Sequence, residues 1–193
     1  MSKVIFDISI SLDGFMTASN PRPEEPMGDG GQRLHEWAMS DEDTRSREVL
    51  DAERNAAGAM ISGRRTYDTS VAWWGADGPS GAARLPLFVV SHSEPEETPA
   101  GGVYTFVDGI ESALHEAKAT AGDKNVSVMG GAEIGQRYIR AGLLDEILIH
   151  LVPVLFTSGT RVFDHIGETH IRLETAEVIE APAATHLRFD VLS

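Results

Sequence analysis

The sequence predicts an α/β fold: a mixed, mainly parallel sheet flanked by helices and ending in an antiparallel C-terminal hairpin. Two observations predict it. Short apolar runs alternate with segments of helical period as far as the middle of the chain and beyond, the pattern of strands joined by crossover helices. From about residue 171 the helical period stops, and residues 171–179 and 185–192 alternate as two neighbouring strands.

Residues 3–10 set Val4, Phe6, Ile8 and Ile10 on one face and Ile5, Asp7 and Ser9 on the other, which is the period of a strand. Residues 12–31 are rich in glycine, proline and Asp-Gly or Asn-Pro pairs and read as loop. A helix is expected from about Asp41 to Asn55, capped by Ser40 or Asp41. Ala59-Met60-Ile61 is a short strand running into Gly63, followed by a polar helix start and a Gly/Pro-rich stretch with Trp73-Trp74. Residues 85–90 and 103–107 are further strands. Ile110, Ala113, Leu114, Ala117 and Ala121 make one helical stripe. Val126–Met129 is a strand that meets Gly130-Gly131; a helix opens at Ala132 and Gly142 fits its C-cap. Residues 146–156 are almost wholly apolar, as in a strand covered on both faces, and Pro153 within that run demands a bulge or an edge position. No repeat or linker divides the chain, so residues 1–193 are read as one domain.

Composition narrows the function. A net charge of -14 argues against nucleic acid as a partner, because phosphate backbones need a basic surface. The chain has no cysteine, which removes disulfides, thiolate metal sites and cysteine nucleophiles. His165 and His170 lack metal-ligand spacing, so no metal is expected. No run approaches membrane-spanning length and no leader pattern opens the chain, so the expectation is a cytoplasmic enzyme or binding protein.

The chemistry gathers where strands end in small residues. Gly130, Gly131, Ala132 and Glu133 join a strand to a helix, so backbone can approach a diphosphate and the first helical N–H groups point outward. The competing reading is a plain tight turn. Gly63-Arg64-Arg65-Thr66 repeats the arrangement with two guanidinium groups, suited to phosphate or, alternatively, to surface ion pairs. Ser91 and His92 follow a third strand and can face a ribose or its 2′-phosphate. Ser11-Leu12-Asp13-Gly14-Phe15 follows the first strand, where Asp13 either orders a substrate or bonds its own turn. In open α/β sheets ligands lie across the carboxyl ends of the strands, which would bring all these turns to one edge.

Together with Asp145-Glu146-Ile147 through Pro153-Val154-Leu155, these motifs stand in an order that resembles the dihydrofolate-reductase-like family. Within it the chain is most similar to stand-alone relatives of the reductase domain of bacterial riboflavin biosynthesis, across essentially its whole length. The resemblance implies a sheet of about eight strands and an NADPH-dependent reductase acting on a C=N or C=O bond of a small heterocycle, pterin- or pyrimidine-like. It implies that Gly63, Arg64, Arg65 and Thr66 contact cofactor phosphate, that Gly130 to Glu133 underlie the diphosphate, and that Ser91 and His92 lie near the adenosine ribose. It also implies a homodimer. Asp13 matches the aspartate beside the nicotinamide and substrate pocket, with Glu36 the second candidate acid and Phe15, Trp37 and Trp74 candidate pocket walls.

Two departures shape the expectation. No His/Cys zinc signature of a deaminase is present, and no single acid stands out near His35-Glu36-Trp37, which argues against folate. The alternative from another class is a non-catalytic NADP(H)-binding sensor or interaction protein, with intact phosphate turns and no working substrate pocket.

Overall fold

The alternation of the first apolar run becomes the frame of the molecule. Val4–Ser11 forms β1, with Val4, Phe6, Ile8 and Ile10 on one face and Ile5, Asp7, Ser9 and Ser11 on the other. The structure, a computed structural model, describes residues 2–192. In chain order there follow β2 (Phe15–Thr17), α1 (Glu36–Met39), α2 (Thr44–Ala56), β3 (Ala57–Gly63), α3 (Arg64–Trp74), β4 (Leu87–Val90) and β5 (Tyr104–Val107). Next come α4 (Ile110–Ala121), β6 (Asn125–Met129), α5 (Ala132–Arg140), β7 (Glu146–Val152), β8 (Thr160–Arg161), β9 (Arg172–Glu180) and β10 (Thr185–Leu192).

The main sheet has eight strands in the order β5-β4-β3-β6-β1-β7-β10-β9. From β5 to β7 all neighbours are parallel, while β10 runs antiparallel to both β7 and β9. This is the mixed, mainly parallel sheet with a C-terminal hairpin that the periodicity predicts. Three local expectations change. The long helix starts at Thr44, because the Asp43 carboxylate caps it by accepting from the Ser46 backbone N–H at 3.0 Å. β7 ends at Val152, so Pro153 lies beyond the sheet and no bulge is needed. β2 pairs with β8 in a separate two-stranded ribbon, too short to carry a periodic signal.

Parallel strands force crossovers, and the helices divide between the two faces of the sheet. α4 and α5 cover the face bearing Phe6, where Val4, Phe6, Ala59, Ile61, Val126 and Val128 are all fully buried. α5 approaches closely because residue 135 is glycine: a Cβ there would lie 2.2 Å from Phe6 Cζ. The opposite face is covered in two pieces. Trp37 and Leu34 pack with Val152 and Ala184 at one end, and Tyr67 of α3 packs on Leu87 and Val89 at the other. Between these clusters Asp7, Met60, Ser127 and Met129 remain only half-buried, which leaves a groove over the centre of the sheet. Among the described residues no helix is long and apolar enough to cross a membrane.

Candidate functional site

β3 and β6 are neighbours, so the glycine turns that follow them come together. The Gly131 N–H donates to Thr66 Oγ1 at 2.8 Å, tying the start of α5 to the first turn of α3. Gly130 has φ +92, and a Cβ there would lie 2.6 Å from Thr66 Cγ2. Glycine is therefore required at 130 both by backbone conformation and by the side chain behind it. Neither helix has a side-chain cap at its N-terminus, unlike α2. Two sets of outward N–H groups thus converge at one edge of the sheet, each with the partial positive charge of a helix start. The space before Gly63 is open, since an added Cβ would meet only Ile134 Cβ at 3.7 Å.

The arginines divide their labour. Arg64 donates from Nε to Asp68 at 2.7 Å and from one terminal nitrogen to Ser91 Oγ at 3.1 Å and the Ser93 carbonyl at 2.8 Å. It therefore clamps the third turn to α3. Arg65 is exposed and has no ion-pair partner among the described residues. The Ser91 hydroxyl donates to the Ser93 carbonyl at 2.6 Å, while His92 projects to solvent with Nδ1 2.7 Å from Asp108. Ala132 is buried and Glu133 exposed in the first turn of α5.

The candidate acids stand differently. Asp13 accepts from Ser11 Oγ at 2.6 Å and from the backbone N–H groups of Phe156 at 3.1 Å and Thr157 at 2.8 Å. The Ser11 hydrogen bond, helped by those two N–H groups, holds its pKa down at about 2. A carboxylate so fastened is a staple between the β1–β2 turn and the loop after β7, and a poor proton donor. Glu36 is exposed, 3.9 Å from Arg33. Phe15 is buried beneath Arg161, whose guanidinium carbon sits 4.6 Å from the ring centre. Trp37 is buried, donates from Nε1 to Ser9 Oγ at 3.1 Å, and packs against His150 with ring centres 4.3 Å apart. Trp74 is half-buried in the Tyr67 cluster. The structure thus brings the three strand-end turns together at one edge of the sheet, while Asp13 and Phe15 lie by the β1–β2 turn, Glu36 and Trp37 in α1 and Trp74 at the end of α3.

A constellation that the motif reading passes over lies on the groove face. His150 of β7 sits opposite His186 of β10, and their Nδ1 atoms are 2.7 Å apart. His150 Nε2 lies 2.9 Å from Asp7 Oδ1. His186 Nε2 lies 3.0 Å from Ser46 Oγ, which donates to Asp43 at 2.7 Å. Burial, then the neighbouring His150, pushes the His186 pKa down to about 4. Burial works against ionised Asp43, yet the bonds from Ser46 and Ala183 hold its pKa below the ordinary carboxylate value. The available signal is a polar residue flanked by apolar ones at Asp7, His150 and His186, in strands that also carry Ser9, Ser11, Glu146, Arg188 and Asp190. On the far side of α2, Arg45, Glu48, Glu53, His186 and Arg188 line a cavity of about 190 Å³. Its sheet residues come from β7, β10 and β9, away from the turns that follow β3 and β6.

Comparison with known proteins gives a consistent result. The model of the RibD C-terminal domain matches residues 2–187. The uncharacterized protein YyaP of Bacillus subtilis (strain 168) is 23% identical over 171 residues, covering 83% of this chain and 80% of that protein. A Shewanella sp. PV-4 protein provisionally named for riboflavin biosynthesis superposes with a TM-score of 0.71 at 20% identity, over 99% of both chains. The riboflavin biosynthesis reductase of Saccharomyces cerevisiae superposes with a TM-score of 0.63 at 14% identity, over 100% of this chain and 90% of that one. At such identities the structural likeness speaks for the fold.

Proposed function

The chain belongs to the RibD C-terminal domain family, and from that premise we propose that it is an NADPH-dependent reductase of a small heterocycle, pterin- or pyrimidine-like. The observation that carries this reading is the pair of uncapped helix starts at adjacent strand ends, joined by the bond from the Gly131 N–H to Thr66 Oγ1. Such a pair suits a dinucleotide diphosphate, because anions are stabilised by converging N–H groups at helix N-termini. The open space before Gly63 and the unengaged Arg65 fit the same group. NADPH, when bound, supplies hydride for a C=N or C=O carbon.

In this reading the turns of Gly63 and Gly130-Gly131 hold the diphosphate, and Arg65 reaches the 2′-phosphate. Arg64 keeps the Ser91–Ser93 loop in place for the ribose. The groove over Asp7, Met60, Ser127 and Met129 is then the substrate's approach. Fluorescence titration with NADPH and NADH tests the first half, and NADPH oxidation with 5-amino-6-(5-phosphoribosylamino)uracil or a dihydropterin tests the second. Micromolar NADPH binding with turnover of either probe is expected. Tight binding with no turnover would favour the non-catalytic sensor, a reading that the fastened state of Asp13 and the exposure of Glu36 keep alive.

A homodimer is part of the proposal. β9 is the sheet's edge strand and is exposed along nearly its whole length, including Leu173 and Val178. An uncovered apolar edge of this kind invites pairing with a second copy. Light scattering should then give twice the 20.8 kDa of one chain, and Val178→Lys should reduce it to one.

A further inference from the structure

The groove face holds a proton whose position follows from hydrogen-bond bookkeeping alone. The Ser46 hydroxyl donates to Asp43 at 2.7 Å, so its oxygen accepts from His186 Nε2–H at 3.0 Å. Neutral His186 then presents a bare Nδ1, which accepts from His150 Nδ1–H at 2.7 Å. If His150 carried only that proton, its bare Nε2 would face the Asp7 carboxylate at 2.9 Å, two lone pairs in mutual repulsion. One further proton must therefore lie between His150 and Asp7. His150 is sealed, with 4% of its side chain exposed, whereas Asp7 is 27% exposed into the groove.

Asp7 also sits where the cofactor would arrive. In the parallel register it is level with Met129, whose chain runs directly into Gly130-Gly131. Adjacent strands are about 4.8 Å apart, so the carboxyl lies one strand from the diphosphate turn and on the groove floor. The surrounding charges are accounted for. Arg188 of β10 pairs with Glu53 of α2 and Glu146 of β7, and burial, then His150, push the pKa of His35, before α1, below its ordinary value.

We propose that Asp7, sharing this proton with His150, is the acid that protonates the substrate atom next to the carbon receiving hydride. The inference rests on the reductase reading. A C=N carbon that accepts hydride from NADPH passes its π electron pair to nitrogen. The nitrogen takes the proton from the Asp7 carboxyl, leaving NADP⁺, the reduced C–N bond, the Asp7 carboxylate and neutral His150. Solvent in the groove returns a proton to the pair. His186, Ser46 and Asp43 are positioning residues: they fix the His150 tautomer so that Nε2 faces Asp7.

The test has two readouts on the full chain. Imidazole ¹⁵N and carboxyl ¹³C spectra, with and without NADP⁺, should show either both His150 nitrogens protonated or Asp7 protonated; in Asp7→Asn, His150 should keep a single proton on Nδ1. With 5-amino-6-(5-phosphoribosylamino)uracil as the probe, Asp7→Asn should lower kcat by about 100-fold or more. NADPH affinity should stay unchanged and Asp7→Glu should restore at least part of the rate. Spectra showing a singly protonated His150 beside ionised Asp7 would overturn the shared proton. An Asp7→Asn enzyme within threefold of wild-type kcat would overturn its role as acid. Wild-type protein that binds NADPH but turns over neither this probe nor a dihydropterin would overturn the reductase reading and the acid role together, with the spectra still deciding where the proton lies.

Discussion

The two faces of the central sheet are made by alternate residues of the same strands, yet they are opposite in character. On β1, Val4 and Phe6 are fully buried under α5 and its neighbours, while Asp7 faces a groove and Ser9 bonds Trp37. On β7, Ile147 and Ile149 join the apolar core, while His150 bonds Asp7 and His186. One face removes apolar area from water. The other carries a buried polar chain, and buried ionic groups of this kind often add little net stability over well-packed hydrophobic residues. Polar groups kept at such a position are best explained by what they do. The contrast therefore separates stability from chemistry across a single sheet thickness.

The strongest way to break that separation is to damage the sealed face and look for a functional effect. Phe6→Ala removes a fully buried ring that fills the space left by Gly135. A loss of about 3–5 kcal/mol is expected in denaturant unfolding at neutral pH. NADPH affinity of the remaining folded protein should be unchanged. An affinity loss larger than the folded fraction explains would show that the faces are coupled.

Gly130→Ala probes the junction of the two faces at the strand ends. The new methyl would meet Thr66 Cγ2 at 2.6 Å, at a residue whose φ is +92. The expected cost is about 1–3 kcal/mol, with NADPH binding weakened because Thr66 is pushed off the Gly131 N–H. Adding Thr66→Ser removes Cγ2 and keeps the hydroxyl, so the double variant should recover part of the binding measured by fluorescence titration. No recovery would mean that the backbone conformation of Gly130, rather than its fit against Thr66, sets the site.

The sealed face was the legible one. Its residues recur at strand and helix periods, so the sheet, its crossovers and its final hairpin follow from spacing. The strand-to-helix turns at Gly63 and Gly130-Gly131 were legible for a related reason: glycine between an apolar run and a helical pattern marks a tight turn. The groove face was not. His150 is, with Glu146, one of two polar residues in the seven-residue strand β7, and its partners lie 36 and 143 residues away. Asp13 was open in the sequence between ordering a substrate and bonding its own turn. The bond from Ser11 lies within that turn, but the N–H groups that also fasten it, at Phe156 and Thr157, are 143 and 144 residues distant. Local pattern reports period and turn chemistry; it does not report which side chains meet.

A smaller effect tests the polar face by pH. The His186 pKa is about 4 in the fold against 6.5 when unperturbed. As pH falls from 6.5 the unfolded chain takes up the proton first, so this contribution is complete above 6.5 and is lost progressively towards 4. Asp43, held low, adds a loss only at more acid pH. Protonated His186 would also present Nδ1–H to His150 Nδ1–H, breaking the chain at its centre. Unfolding free energy measured between pH 6.5 and 4 should slope less steeply in His186→Gln, by up to about 1.4 kcal/mol per pH unit. An unchanged slope would mean that His186 already titrates normally and that the tautomer chain does not hold.

The smallest effect discriminates most finely between the arginines. Arg64 is engaged by Asp68, Ser91 and Ser93, whereas Arg65 is exposed and has no ion-pair partner among the described residues. Losing one exposed charge-assisted contact to phosphate should cost on the order of 1 kcal/mol. Arg65→Ala should therefore weaken NADPH binding about fivefold and leave NADH binding nearly unaltered. Arg64→Ala should instead weaken both, because releasing the Ser91–Ser93 loop disturbs the ribose whichever nucleotide is bound. If Arg65→Ala weakens both equally, the guanidinium serves the diphosphate and the 2′-phosphate must be met elsewhere. If it weakens neither, Arg65 is surface charge, and the phosphate edge works through backbone N–H groups and the Thr66 hydroxyl alone.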